Sequence, residues 1–140
     1  MSLEDNKALV RRFVEEVQNQ HNLDAINELF SPDFVDHSGN PNLPGIEGIK
    51  MLFKMMFAAF PDMHFTIHVQ LAECDQVMTY KTFHGTHQGH FMGILPTGKQ
   101  VAVDVIDILT IMDGKIIEHW TISDMLGMLQ QLGAIPIPGT

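Results

Sequence analysis

A carboxylate that closes an otherwise apolar strand can move a proton, and Asp124 stands in that position, directly after the strand-like run KIIEHWTIS. In a dry pocket the charged form of a carboxyl group is disfavoured, which suits it to exchange a proton with a carbon beside a carbonyl. Asp124 has a second reading, because it also begins the helical stretch MLGMLQQLG and aspartate is a good N-cap. His37 ends a short strand before the breaker-rich loop SGNPNLPG. There an imidazole can serve as a second acid/base or donate to a substrate oxygen, or it can simply anchor the loop. His84, His87 and His90 suggest a metal cluster at first sight. Residues three apart on a strand face opposite sides, however, and no nearby Asp or Cys completes a ligand set, so no metal is expected.

These groups must be positioned by a few readable elements. Ser2 followed by Asp5 is a capping-box pattern, and Val10, Phe13, Val14 and Val17 recur at helical spacing behind it. A second short helix is predicted from Asn22 to Phe30, ended by Ser31-Pro32, and a strand over Phe34–His37. A third helix begins near Ile46, and Pro61 stops it. Its wide apolar face includes Phe53, Met56, Phe57 and Phe60, which are expected to shape a cavity. From there the period changes to that of strands in HFTIHVQLA, QVMTYKTFHGTH, KQVAVDVIDILTIM and KIIEHWTIS. Helices first and antiparallel strands later make an α+β arrangement.

Asp113-Gly114 is a strong hairpin signal. A two-residue loop would pair even positions with odd ones, whereas a bulged loop pairs even with even. The bulged register is preferred here. It puts Ile106, Ile108, Trp120, Ile122 and Asp124 on one face, read as a pocket wall with a carboxylate at its end. His119 points the other way in that register, and it is retained with Trp120 as a substrate contact. Trp120 can wall a ring-shaped ligand or pack as a core tryptophan. The strands carry β-branched residues at both parities, so the outer face of the sheet also needs cover, and a homodimer through that face is expected.

Composition narrows the classes. The chain has 140 residues, with 45% hydrophobic and 18% charged, which fits one globular domain over 1–140. The formal net charge is −9 and the basic residues are scattered, so no nucleic-acid partner is expected. No run reaches the length of a membrane span, and the charged N-terminus has no signal-peptide core. One cysteine, Cys74, allows no internal disulfide, and a reducing cytoplasm is the expected location.

The run GTHQGHFMGILPTGK, followed by DGKIIEHWTISDMLGMLQQLG, resembles the SnoaL-like polyketide cyclases of the nuclear transport factor 2-like class. The FVDHS segment and the helix ending in FPD fit the same family. The resemblance implies N-terminal helices packed on a strongly curved antiparallel sheet, forming a cone around an apolar pocket. It also implies a small apolar ligand or substrate, with acid/base ring closure and no cofactor. In such cyclases an aspartate carries the proton, and the resemblance places Asp124 there. It makes His87, in GTHQG, the histidine of its group expected at the pocket. The cyclases also use polar partners on the preceding strand, which here reads Ile106, Ile108 and Thr110. Asp124, His37 and His87 are therefore the predicted catalytic set. A non-catalytic ligand-binding or dimerisation module of the same fold is the alternative.

Overall fold

The structure is a computed structural model that describes residues 2–139. Ser2 opens the first helix as a capping box: its hydroxyl accepts from the Asp5 amide at 3.0 Å, and the Asp5 carboxylate accepts from the Ser2 N–H at 3.2 Å. This helix, α1 (Leu3–Arg12), continues as wider π-helical turns over Phe13–Asn19, and together they bury Val10, Phe13, Val14 and Val17. Then come α2 (Ala25–Leu29), β1 (Phe30–Asp36), α3 (Gly45–Ala59), β2 (His64–Glu73), β3 (Gln76–Thr86), β4 (Gln100–Met112), β5 (Lys115–Ser123) and α4 (Met125–Gln131). No helix among the described residues is long and apolar enough to cross a membrane.

The strands form one five-stranded sheet in the order β1-β5-β4-β3-β2. β2 to β5 are an antiparallel meander, as the hairpin signals require. β1 departs from the expected all-antiparallel sheet and lies parallel to β5. The two strands are far apart in the chain, so no hairpin turn dictates their direction. β1 also begins earlier than predicted, at Phe30, and α2 is correspondingly shorter. The strand tolerates Pro32 because it is an edge strand, with a register irregularity between Phe30 and Val35.

The hairpin after β4 uses a two-residue turn, with Asp113 at φ 51° and Gly114 at φ 73°. A bulge in β5 then skips Ile117, so that Thr110 opposes Glu118, Ile108 opposes Trp120 and Ile106 opposes Ile122. Even positions thus pair with even ones, as expected, although the extra residue sits in the strand and not in the turn. The face is the reverse of the expected one. The odd row of β4 (Val101, Val103, Val105, Leu109, Ile111) is buried, while Ile106 and Ile122 are 42% and 78% exposed. The odd row is the more uniformly apolar of the two, so the helices cover that one.

The bulges in β5 and in β2, between Ile67 and Val69, help curl the sheet, which remains unclosed. Its concave side carries two apolar clusters. One joins α1 and its π-helical extension to Phe30, Val77, Leu109 and Ile111. The other joins the end of α3 and α4 to Phe83, Val101, Val103 and Val105. On the convex side Leu71, Met78, Ile108 and Trp120 form one row across β2–β5, and Val69, Tyr80, Ile106 and Ile122 form the next.

The connection from β3 to β4 folds back as a flap rooted on the end of α3. The Gln88 and Gly89 amides both donate to the Ala59 carbonyl, at 2.9 and 3.1 Å. Gly89 lies so close that a β-carbon there would collide with the Ala58 carbonyl oxygen. Gly89→Ala is therefore expected to cost about 1–3 kcal/mol in chemical denaturation, by forcing backbone apart. A change under a few tenths would show that the flap root is loosely packed.

Candidate active site

Between the two apolar clusters the inner face of the sheet turns polar, and there a cavity of about 480 Å³ opens under α3, α4 and the flap. Its greasy side is made by residues such as Phe53, Met55, Met56 and Phe91. Its polar groups are few: Ser38 and His90 come from the segments after β1 and β3, and the rest fall into two sets. One follows β5, where His119, Thr121 and Ser123 alternate inward. The other is deeper and consists of Gln18, Lys81 and Asp107.

The β1–β5 pairing builds the first set. Asp36 lies directly opposite His119 in the parallel ladder, so both side chains turn to the same face. His119 Nδ1 is 3.1 Å from Asp36 Oδ1, and the two side chains are only 7% and 10% exposed. Burial by itself pushes the Asp36 carboxyl up. The His119 hydrogen bond and charge, followed by the Ser38 and Gly39 amides, outweigh it and hold the group below its ordinary value. A carboxylate only accepts, so Nδ1 carries the proton that it takes up. In the neutral ring this leaves Nε2 with a lone pair, and no hydrogen-bond partner for Nε2 occurs among the described residues. A histidine held this way, at the wall of a cavity, is arranged as a general base.

The deeper set contains a fully buried ion pair. Lys81 Nζ is 2.7 Å from Asp107 Oδ2, with side chains 1% and 2% exposed. The ammonium also donates to Gln18 Oε1 at 2.9 Å and lies 4.4 Å from the centre of the Phe65 ring.

Most of the other predicted residues lie elsewhere. Asp124 is exposed and caps α4, its Oδ1 accepting from the Gly127 amide at 2.9 Å. That is the capping reading of Asp124, and the structure does not bring it to the cavity wall. His37 follows Asp36 and so points to the convex side. There it stacks on Trp120 with ring centres 4.4 Å apart, and its Nε2 is 2.9 Å from Glu118. Trp120, Ile106, Ile108 and Ile122 share that face, because the inward row is the odd one. His87 is inward but sealed under the flap, where its Nδ1 accepts from the Thr97 amide at 3.2 Å. It fastens the flap and does not line the cavity. His84 faces outward against His64, so the alternation expected for these histidines separates them. Among the substrate-contact candidates, His119, Phe53 and Met56 line the cavity. Phe57 stacks on His21, and Phe60 is wholly buried beside Phe83 and Phe91.

Asp36, Lys81, Asp107 and Gln18 were not singled out by sequence. Asp107 did carry a signal, since it is the single charged residue in the otherwise apolar odd row of β4. The polar partner sought among Ile106, Ile108 and Thr110 lies on that opposite parity.

A helix-backed, curled sheet with a buried aspartate–histidine pair at the wall of an apolar cavity defines a class of small pocket proteins. Residues 8–132 match the model of the SnoaL-like polyketide cyclases, and the chain belongs to that family. It is 29% identical over 133 residues to the aklanonic acid methyl ester cyclase DnrD of Streptomyces peucetius, covering 89% of this chain and 88% of the relative. AclR, a proposed hydroxylase of Streptomyces galilaeus, superposes with a TM-score of 0.87 at 34% identity, over 99% of this chain and 87% of that one. IdmH, a proposed polyketide cyclase of Streptomyces antibioticus, gives 0.81 at 34% identity, over 91% of this chain and 98% of that one.

Asp36 links this site to acid stability. Its carboxyl titrates lower in the folded chain than in the unfolded one, so its contribution is present above the ordinary aspartate value of 3.8 and is lost as pH falls through the folded value. Urea unfolding across pH 2–6 (the acid range about the ordinary aspartate value) is expected to show Asp36→Asn about 1 kcal/mol less stable at the upper end, where a charge-assisted bond becomes a neutral one. The gap should close toward the acid end. A gap that stays constant with pH would disprove the linkage.

Proposed function

We propose that the protein is a cyclase that closes a ring by an intramolecular aldol reaction on a small, largely apolar carbonyl compound. The observation that carries this reading is the Asp36–His119 pair, with Nε2 free at the wall of an apolar cavity. Nε2 takes a proton from a carbon flanked by carbonyl groups, and the electron pair moves to the carbonyl oxygen as an enolate. The enolate carbon attacks a further carbonyl of the same molecule, forming the new carbon–carbon bond while the carbonyl π electrons move to its oxygen. The resulting alkoxide takes back the proton from the imidazolium, which Asp36 has steadied meanwhile. The cavity excludes water from the enolate, and its greasy wall of Phe53, Met56 and Phe91 presses the substrate against β5. No step of this scheme calls on a cofactor. The name of the relative DnrD makes aklanonic acid methyl ester the first substrate to try.

His119→Asn tests the scheme. The Asn amide can replace the Nδ1–H toward Asp36, while nothing replaces Nε2. Turnover is expected to fall by about 10²–10⁴-fold with the fold preserved. A variant with full turnover would remove His119 as the base. Asp124→Asn, by contrast, is expected to retain turnover and to lose only a few tenths of a kcal/mol, because asparagine caps as well as aspartate. A large loss of turnover there would restore Asp124 as the proton carrier.

We further propose that the chain pairs with a second copy through the convex face of the sheet. Leu71 is 62% exposed and Ile122 is 78% exposed, within two uncharged apolar rows that no described helix covers. An apolar patch of this kind on the sheet can pair with its own copy about a two-fold axis. Sedimentation at micromolar concentration is expected to give a dimer, and Ile122→Lys a monomer. A monomeric wild type would refute this.

A further inference from the structure

The proton chemistry above uses His119 and Asp36, and it leaves unexplained a buried ion pair at the bottom of the same cavity. A buried ion pair is often no more stabilising than an apolar pair of the same volume. Lys81 and Asp107 also leave hydrogen-bonding capacity unused. The ammonium has three N–H groups and two oxygen partners, Asp107 Oδ2 and Gln18 Oε1. Asp107 Oδ1 is buried without any partner. A spare donor and an orphaned acceptor therefore sit side by side on two residues that line the cavity. Thr79, beside them, lies opposite Asp107 in the β3–β4 ladder.

We infer that Lys81 and Asp107 form a donor–acceptor anchor for a 1,3-dioxygenated unit, an enolised 1,3-dicarbonyl or a β-hydroxy ketone; this rests on the cyclase reading and names the substrate feature it recognises. Lys81 N–H donates to the carbonyl oxygen, and Asp107 Oδ1 accepts from the hydroxyl two carbons away. The spacing suits both ends of an aldol closure: the carbon between the two oxygens of a 1,3-dicarbonyl is the one that gives up its proton, and the hydroxy ketone product presents a carbonyl and a hydroxyl at the same spacing, sharing one of those oxygens. The anchor also has a fixed relation to the base. Asp107 opposes Thr121, and His119 is the next inward residue along β5, so the two are diagonal neighbours on one face, roughly 7–8 Å apart in backbone terms. A carbon held between the two anchored oxygens is then within reach of His119 Nε2. The Phe65 ring under the ammonium keeps water from competing for the spare N–H.

Binding tests this without turnover. The probes are benzoylacetone, an aryl 1,3-diketone that enolises, and 4-phenylbutan-2-one, a monoketone of similar size. Calorimetric titration of the wild-type protein is expected to show about tenfold or greater preference for the diketone. The paired replacement Lys81→Met with Asp107→Leu fills the same volume with apolar groups. It is expected to retain the fold and the monoketone affinity while losing the preference. Asp107→Asn is a second route: it leaves Lys81 an oxygen and turns the orphaned acceptor into a donor, and the preference should fall about tenfold. A wild type without preference, or a double variant that retains it, overturns the anchor. His119→Asn separates the two claims. It should keep the preference while losing turnover, and a full loss of preference in that variant would assign the recognition to His119 instead.

Discussion

The register of β1 against β5 governs the rest of the site. Asp36 opposite His119 sends a carboxylate and an imidazole inward together, and the next pair along, His37 and Trp120, is sent outward to stack on the convex face. A slip by one residue would exchange the two pairs, putting an apolar stack inside and an acid/base pair in solvent. The register is held by more than the backbone ladder. The His37 amide donates to the His119 carbonyl at 2.9 Å and the Ser38 hydroxyl accepts from the Thr121 amide at 2.9 Å, so the end of β1 is tied to β5 just past the functional pair.

This placement depends in turn on how the sheet is covered. The helices bury two apolar clusters at the ends of the concave face, and the polar groups of the cavity occupy the strip between them. Burying Asp36, Lys81 and Asp107 there is unfavourable unless each finds partners. Asp36 finds His119 and two backbone amides; Lys81 finds Asp107, Gln18 and an aromatic face. Gln18 comes from the π-helical turns after α1, so the helix that supplies much of the core also reaches the deepest polar group. The third Lys81 N–H, which has no oxygen partner, and the buried Asp107 Oδ1 are the points at which the satisfaction of these groups stops. Orphaned polar atoms at the edge of a cavity are where a ligand does the completing.

Much of the fold was legible in the sequence. The capping box at Ser2, the helix ended by Pro61 and the four later strands fall almost where periodicity puts them. The even-to-even pairing of β4 and β5 was legible as well. Which parity faces inward was not, because both rows of β4 are largely apolar and each carries one aspartate, Asp107 in the odd row and Asp104 in the even one. That one inversion moved the expected wall to Ile106, Ile108 and Ile122 and hid Asp107. Asp124 stood out because it is conspicuous after a strand, and a helix start gives the same pattern for structural reasons. Asp36 and His119 could not be joined from sequence, since their contact depends on a parallel pairing between strands at opposite ends of the chain. Nothing in the sequence sets Lys81 apart from the other scattered basic residues, because partners such as Gln18 and Phe65 are brought to it only by the fold.

The state of the His119 ring tests the central claim most directly. Nitrogen-15 NMR of histidine-labelled protein, with His119→Asn identifying the resonance, distinguishes the two neutral tautomers. If Asp36 orients the ring toward catalysis, the neutral form is the one with the proton on Nδ1 and a bare Nε2, and Asp36→Asn weakens that bias. A His119 that carries its proton on Nε2, or exchanges freely between the two forms, would contradict it, because no lone pair would then be held toward the cavity.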